Sequence, residues 1–177
     1  MTTPATNQVA FDTALGRCAV RWSDAGITGV LLPSPTGRPG PTEDERDDAP
    51  AFVRRAIEGM RSTLAGQPAD LRDVPLDLGA TEEMRRRVYE AARRIPAGQV
   101  RSYGQVAREL ALDPVTGARD VGAALARNPV PIIVPCHRIV AANGALHGFS
   151  APGGIATKQR MLELEGAPGY GQQTLFG

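Results

Sequence analysis

Three prolines crowd the segment Asn128-Pro129-Val130-Pro131-Ile132-Ile133-Val134-Pro135-Cys136-His137-Arg138. Its β-branched residues favour extended backbone, so it is expected to be a short apolar strand that delivers Cys136. Pro135 has a fixed φ and no N–H, so an ordinary sheet ladder cannot run on into the thiol. His137 and Arg138 place positive charge beside a sulfur whose nucleophilic form is the thiolate. The competing reading is a buried structural cysteine, since free cysteine is among the most buried residue types. The Pro-Cys-His-Arg context, Asn128 upstream and the glycine-rich stretch downstream favour a reactive thiol.

The chain around this segment divides by pattern into two units, 1–79 and 80–177. In the first, residues 9–11 and 17–22 are strand candidates separated by a turn at Gly16. Ser23-Asp24-Ala25-Gly26 is turn chemistry leading into a third strand over 27–32. Residues 33–50, rich in proline, glycine and acids, are expected as a surface loop. Phe52, Val53, Ala56, Ile57, Met60 and Leu64 fall at helical spacing, and 71–78 could supply another strand. This small α/β unit is expected to be scaffold, with Cys18 as packing.

The second unit is mostly helical, which makes the whole an α+β chain. Thr81 is an expected N-cap with two acids behind it, where the helix dipole favours them. Met84, Val88, Ala91, Ala92 and Ile95 mark the buried stripe. Ser102-Tyr103-Gly104-Gln105 is a capping box. The helix it opens is broken at 113–117, and a second helix is expected over 118–127. Two short helices about a tight turn make a helix-turn-helix. The second, Ala118-Arg119-Asp120-Val121-Gly122-Ala123-Ala124-Leu125-Ala126-Arg127, has little side-chain bulk. A major-groove reader would carry Asn, Gln or several Arg to bond base edges. A smooth helix suits close approach to a nucleic-acid backbone or a narrow minor groove; tight helix–helix packing explains it equally well. Downstream, Asn143-Gly144 is a hairpin signal, and 148–154 reads as a flexible loop.

Composition narrows the classes. The N-terminus has no basic stretch followed by an apolar run, and no stretch is long and apolar enough to span a bilayer. Cys18 and Cys136 are the only cysteines, which fits a reducing cytoplasm and no disulfide framework. With His137 and His147 they form no metal-ligand spacing. Residues 1–80 carry eight arginines against eleven acids, whereas 81–177 carry twelve basic residues against eight acids. A basic C-terminal half is a weak pointer to phosphate backbone.

Pro135-Cys136-His137-Arg138 with Asn128-Pro129 upstream, the helix-turn-helix before it and a helix with Lys158 and Leu164-Glu165-Gly166 after it resemble the active-site region of O6-alkylguanine-DNA alkyltransferases. The resemblance runs from about residue 81 to 167. It implies that an alkyl group moves from O6 of guanine in double-stranded DNA onto Cys136, once per molecule, with O4-alkylthymine as a second candidate lesion. It implies no cofactor, no zinc and a monomer in the bacterial cytoplasm or nucleoid. His137, oriented by Glu165, would act on Cys136 through a bridging water, and Asn128 would hold the hinge before the cysteine strand. Arg119 would fill the gap left by a flipped-out base, with Tyr103 assisting at the 3′ phosphate. Ser102, Ala118 and Gly122 would complete the DNA surface. Tyr103, Val134, Phe149 and Ser150 would line the pocket for the extruded base. The chain departs from many relatives in carrying Tyr89 in place of tryptophan and two extra residues near Ser150. Three other classes fit parts of the pattern: a lesion-binding protein without chemistry, which would lack Cys136; a cysteine hydrolase, which would want a histidine distant in sequence where His147 has no supporting pattern; and a helix-turn-helix regulator.

Overall fold

The computed structural model describes residues 7–33, 48–146, 148–149 and 151–171. Most of the expected 33–50 loop, together with His147 and Ser150, lies outside them. The chain opens with an antiparallel meander, β1 (Gln8–Thr13), β2 (Gly16–Ser23) and β3 (Gly26–Leu31), in that spatial order. Val9, Phe11, Cys18, Val20, Ile27 and Val30 are buried. Helix α1 (Ala51–Leu64) closes over the sheet with Val53, Ala56, Ile57, Met60 and Leu64, the spacing expected of one helical face.

Residues 71–78 do not form the expected strand. One isolated parallel bridge, Ile27 to Leu76, is all that forms, because Pro75 has no N–H to extend a ladder. The Pro75 carbonyl instead accepts from Ile27 N at 2.9 Å. The backbones pass so closely that a Cβ on Gly26 would lie 2.7 Å from that oxygen, which explains glycine there.

Helix α2 (Glu83–Arg93) begins later than expected. Thr81 does not cap it; its hydroxyl donates to Leu78 O at 3.2 Å, and Glu82 occupies the cap position without a side-chain bond. The helix-turn-helix is present as α3 (Tyr103–Glu109) and α4 (Gly117–Leu125). Both bonds of the capping box form: Gln105 N donates to Ser102 Oγ at 3.0 Å, and Ser102 N donates to Gln105 Oε1 at 2.8 Å. The two helices pack through Gly117, where a Cβ would meet Leu112 and Ala107 at about 3.0 and 3.1 Å. Gly122, by contrast, would accept a Cβ in ordinary contact with Tyr103, so helix packing does not account for it.

The cysteine segment is not a strand. Residues 130–135 form successive turns, and Cys136–Arg138 is a single 3-10 turn. The prolines remove the donors a ladder needs, and Val134 N bonds back to Val130 O at 2.9 Å. Ile132 is left at φ 73°, a conformation that β-branched residues rarely adopt. Only after the turn does the chain pair, as β5 (Ile139–Val140) alongside β4 (Arg101–Ser102) in parallel. This short pairing fixes the start of α3 beside the cysteine turn. The Asn143-Gly144 turn forms through Gly144 N to Ala141 O at 2.9 Å, without a returning strand among the described residues. Helix α5 (Gly154–Leu164) completes the fold, and Met161 and Leu162 are fully buried.

Candidate active site

The 3-10 turn resolves the problem that a strand would have posed. Neighbours in a strand point to opposite faces, whereas successive residues of a 3-10 helix are about 120° apart. Cys136 and His137 can therefore serve one centre while each is held by different partners. Both are buried, Cys136 at 8% exposure and His137 at 0%.

Asn128 clamps the approach to the turn. Its side-chain amide donates to Val134 O at 2.9 Å, and its Oδ1 accepts from Val130 N at 3.0 Å. The Val134 carbonyl also accepts from Cys136 N at 2.8 Å. These bonds tie the strained Ile132 turn from both sides. Val134 itself is fully buried, so its side chain is a core group and its contribution to the site is the carbonyl.

On the inner side lies a buried charged cluster. His137 Nε2 is 2.8 Å from Glu165 Oε1, at the C-terminal cap of α5. Arg138 grips the same carboxylate through Nε to Oε2 at 3.0 Å and Nη2 to Oε1 at 2.7 Å, and donates Nη1 to Ile95 O at 2.6 Å. Burial raises the Glu165 carboxyl, but His137 and Arg138 outweigh it and hold it below the usual range. Burial pushes the His137 imidazole down, against the pull of Glu165. A neutral imidazole that donates Nε2–H to an ionised carboxylate leaves Nδ1 as an acceptor. Nδ1 is buried and has no protein partner.

Burial raises the Cys136 thiol, while the Asn128 amide, the Lys158 ammonium and the N–H groups of Cys136 and His137 pull it down. The rise prevails, so the resting sulfur is a thiol surrounded by groups that favour its anion.

Lys158, to which sequence reasoning gave no role of its own, is also drawn into the site. It projects from α5 into the interior at 1% exposure, donating to Ile139 O at 2.7 Å and to the Tyr103 hydroxyl at 3.3 Å. Burial lowers its ammonium pKa, opposed by Cys136.

Cys136, Tyr103, Lys158 and Phe149 open onto a cavity of about 680 Å³ whose other wall is α4. Ala118, Arg119, Gly122 and Ala123 line that wall. Arg119 is exposed at the mouth with no ion-pair partner among the described residues. Ser102 sits at the start of α3 with its hydroxyl engaged as a helix cap. The structure thus gathers Cys136, His137, Glu165 and Asn128 into one centre, and Tyr103, Arg119, Ala118, Gly122 and Phe149 around one opening. No metal-holding cluster occurs among the described residues.

Comparison with known proteins gives the same picture. Residues 83–167 match the family model for the DNA-binding domain of 6-O-methylguanine DNA methyltransferase. A methylated-DNA–protein-cysteine methyltransferase of Mycobacterium tuberculosis is 34% identical over 166 residues, covering 94% of this chain and 96% of that protein. A DNA base-flipping protein of Thermus thermophilus is 37% identical over 146 residues, covering 82% and 92%. The solved structure of M. tuberculosis OGT in complex with DNA superimposes with a TM-score of 0.70 at 35% identity, covering 91% of this chain and 94% of that one. The chain belongs to the methylated-DNA–protein-cysteine methyltransferase family.

Proposed function

We propose that this protein repairs O6-alkylguanine in double-stranded DNA by moving the alkyl group irreversibly onto Cys136. The observation that carries the reading is one buried cysteine set between a carboxylate-held imidazole and a cavity wide enough for an extruded base. The Cys136 proton passes through a bridging water to His137 Nδ1, and Glu165 stabilises the imidazolium that forms. Arg138 keeps Glu165 ionised while the imidazole is neutral. The thiolate, favoured by Lys158 and Asn128, attacks the alkyl carbon; the S–C bond forms as the C–O6 bond breaks, and guanine leaves with the bonding electrons. Tyr103, whose hydroxyl accepts from Lys158, donates a hydrogen bond to the departing purine. The thioether has no route back to a thiol, so each molecule acts once. A positioned acid–base group of this kind contributes about 10²–10⁴-fold.

Attack on O6 requires the base to leave the stack, at a cost of a few kcal/mol. Arg119 at the cavity mouth fills the gap, and the smooth face of Ala118, Gly122 and Ala123 enters the minor groove. The unit 80–177 carries the DNA surface and the chemistry, and 1–79 supports it. We infer a metal-free monomer working in a reducing cytoplasm, which keeps Cys136 a thiol. Mass spectrometry after incubation with a methylated duplex tests the reading. One methyl on the Cys136 peptide, with no second turnover, supports it; turnover beyond one equivalent, or methyl elsewhere, refutes it.

A further inference from the structure

Helices α3 and α4 are seven and nine residues long, short enough that their pose depends on outside support. Each ends on a carbonyl that its own ladder serves poorly. At the end of α3, Pro114 stands four residues beyond Leu110 and has no N–H to offer its carbonyl. At the end of α4, Asn128 N bonds to Leu125 O at 3.1 Å rather than to Ala124 O, which Arg127 N reaches only at 3.3 Å. Both carbonyls find a donor on α2. Arg87 Nη2 donates to Leu110 O at 2.6 Å, and the buried Tyr89 hydroxyl donates to Ala124 O at 3.1 Å. Burial lifts the Tyr89 phenol above its ordinary value, so it keeps the proton that it donates. The last turn of α2 is tied in turn to the segment leading out of the N-terminal unit, where Arg93 Nη2 donates to Leu71 O at 2.7 Å and to Val74 O at 2.8 Å.

The two ends of the helix-turn-helix are thus fastened to one rail. The consequence differs for a duplex and for a free base. A duplex is stiff on this scale and must meet Tyr103 at the start of α3, Arg119 on α4 and Cys136 together, so those three need fixed mutual positions. A free base meets only the pocket. Taking base flipping and alkyl transfer to Cys136 as given, we propose that Tyr89 and Arg87 are positioning residues for the duplex reaction. From α2 they hold the trailing ends of α4 and α3, so that Arg119 reaches the base stack while the extruded base reaches the sulfur. Neither residue touches the lesion, and neither lines the cavity at Cys136. A phenol carries its donor at the tip of the ring and an indole on its edge. Tyrosine where many relatives carry tryptophan therefore sets where the bond to α4 falls.

The test measures single-turnover transfer from a duplex carrying O6-methylguanine and from free O6-benzylguanine, in the full chain and its Tyr89→Phe variant, well below the melting temperature. Phenylalanine keeps the ring and removes only the donor. Duplex transfer falls by about tenfold, the equivalent of one hydrogen bond, while reaction with the free base, which needs no flipping, stays within about twofold. A purely structural loss would lower both alike through the folded fraction. Adding Tyr89→Phe to Arg119→Ala costs little beyond Arg119→Ala alone, because sites that act through one another are not additive. Should Tyr89→Phe not fold, Arg87→Met gives the same duplex-selective loss with the salt dependence of duplex binding unchanged; a shallower slope would make Arg87 a phosphate contact instead. That slope, an unchanged duplex-to-free-base ratio in a folded variant, or fully additive losses with Arg119→Ala overturns the inference while leaving alkyl repair standing. Absence of methyl transfer by the folded wild-type protein overturns the reading on which it rests.

Discussion

Glu165 holds two partners at once, and separating them distinguishes the stability of the buried cluster from its chemistry. The Glu165 side chain is 0% exposed and that of Arg138 7%, and the pair is bidentate. Removing one member of such a pair leaves a buried charge without compensation, at a cost of about 3–5 kcal/mol. For a chain of this size each kcal/mol moves the melting temperature by about 2–4 °C. Glu165→Gln and Arg138→Met should therefore each lower it by about 6–20 °C. Arg138→Met falls at the mild end, because the stranded carboxylate can recover a partner by protonating His137. The double variant removes both charges together, and replacing a buried pair by neutral groups of similar volume is close to neutral in stability. Most of the lost stability should return.

Transfer should not return with it. Without a carboxylate, the imidazolium formed when His137 takes the thiol proton has lost its counter-charge, so single-turnover transfer stays about a hundredfold below wild type in both Glu165→Gln and the double variant. The assays are a thermal melt and quenched-flow transfer from a methylated duplex, run on all four proteins. Additive losses of stability would show that Arg138 and Glu165 are not coupled. Recovery of transfer in the double variant would refute the role of Glu165 in proton transfer.

Arg119→Ala should slow repair of duplex DNA by at least about tenfold while barely changing reaction with free O6-benzylguanine, which needs no flipping; equal loss on both substrates would place Arg119 in the fold or the pocket. Burial pushes the Cys18 thiol up to about 11, so Cys18→Ala should leave transfer unchanged, and a blocked reaction would mean the nucleophile is misassigned. The depressed His137 pKa has a fixed sign: below about pH 6.5 the unfolded chain binds the proton that the folded chain refuses, so stability present above that value is lost as pH falls. The urea midpoint should drop between about pH 7 and 5, and His137→Asn should flatten that slope; an unaltered slope would show that His137 is not the group. Lys158→Met removes a cation that favours the Cys136 thiolate, so transfer to free base should slow by about tenfold per unit of raised thiol pKa and recover at higher pH; a uniform loss at every pH would assign Lys158 to the fold alone.

The regular elements were legible because their signals are local. The meander, α1 and the capping box follow from alternation, helical spacing and a four-residue motif. The failures share a physical cause. Residues 130–135 read as a strand because Ile and Val favour extended backbone, but three prolines remove the donors, and Asn128 offers its amide in place of a neighbouring strand. Residues 71–78 failed as a strand because Pro75 lacks a donor, and Thr81 failed as a cap because a carbonyl three residues back was already within reach. A missing donor or a competing hydrogen bond decided each outcome, and propensity counts neither.

The site shows the same division between local signal and long-range contact. Cys136, His137 and Asn128 lie within ten residues of one another and could be read together, and Glu165 entered through the Leu-Glu-Gly resemblance. Lys158 left a signal of a different kind. It is the one lysine among twenty basic residues, in a chain that elsewhere uses arginine. Arginine is a rigid planar fork, whereas lysine is a compact charge on a flexible stem. At 1% exposure, with Ile139 O and the Tyr103 hydroxyl as its partners, the position admits a narrow ammonium and would leave much of a guanidinium's donor set buried without acceptors. A charge this deep is retained only where something nearby needs it, and the group that gains is the thiolate of Cys136. The single lysine lies inside the site along with the buried Arg138, while Arg119 is exposed at its mouth.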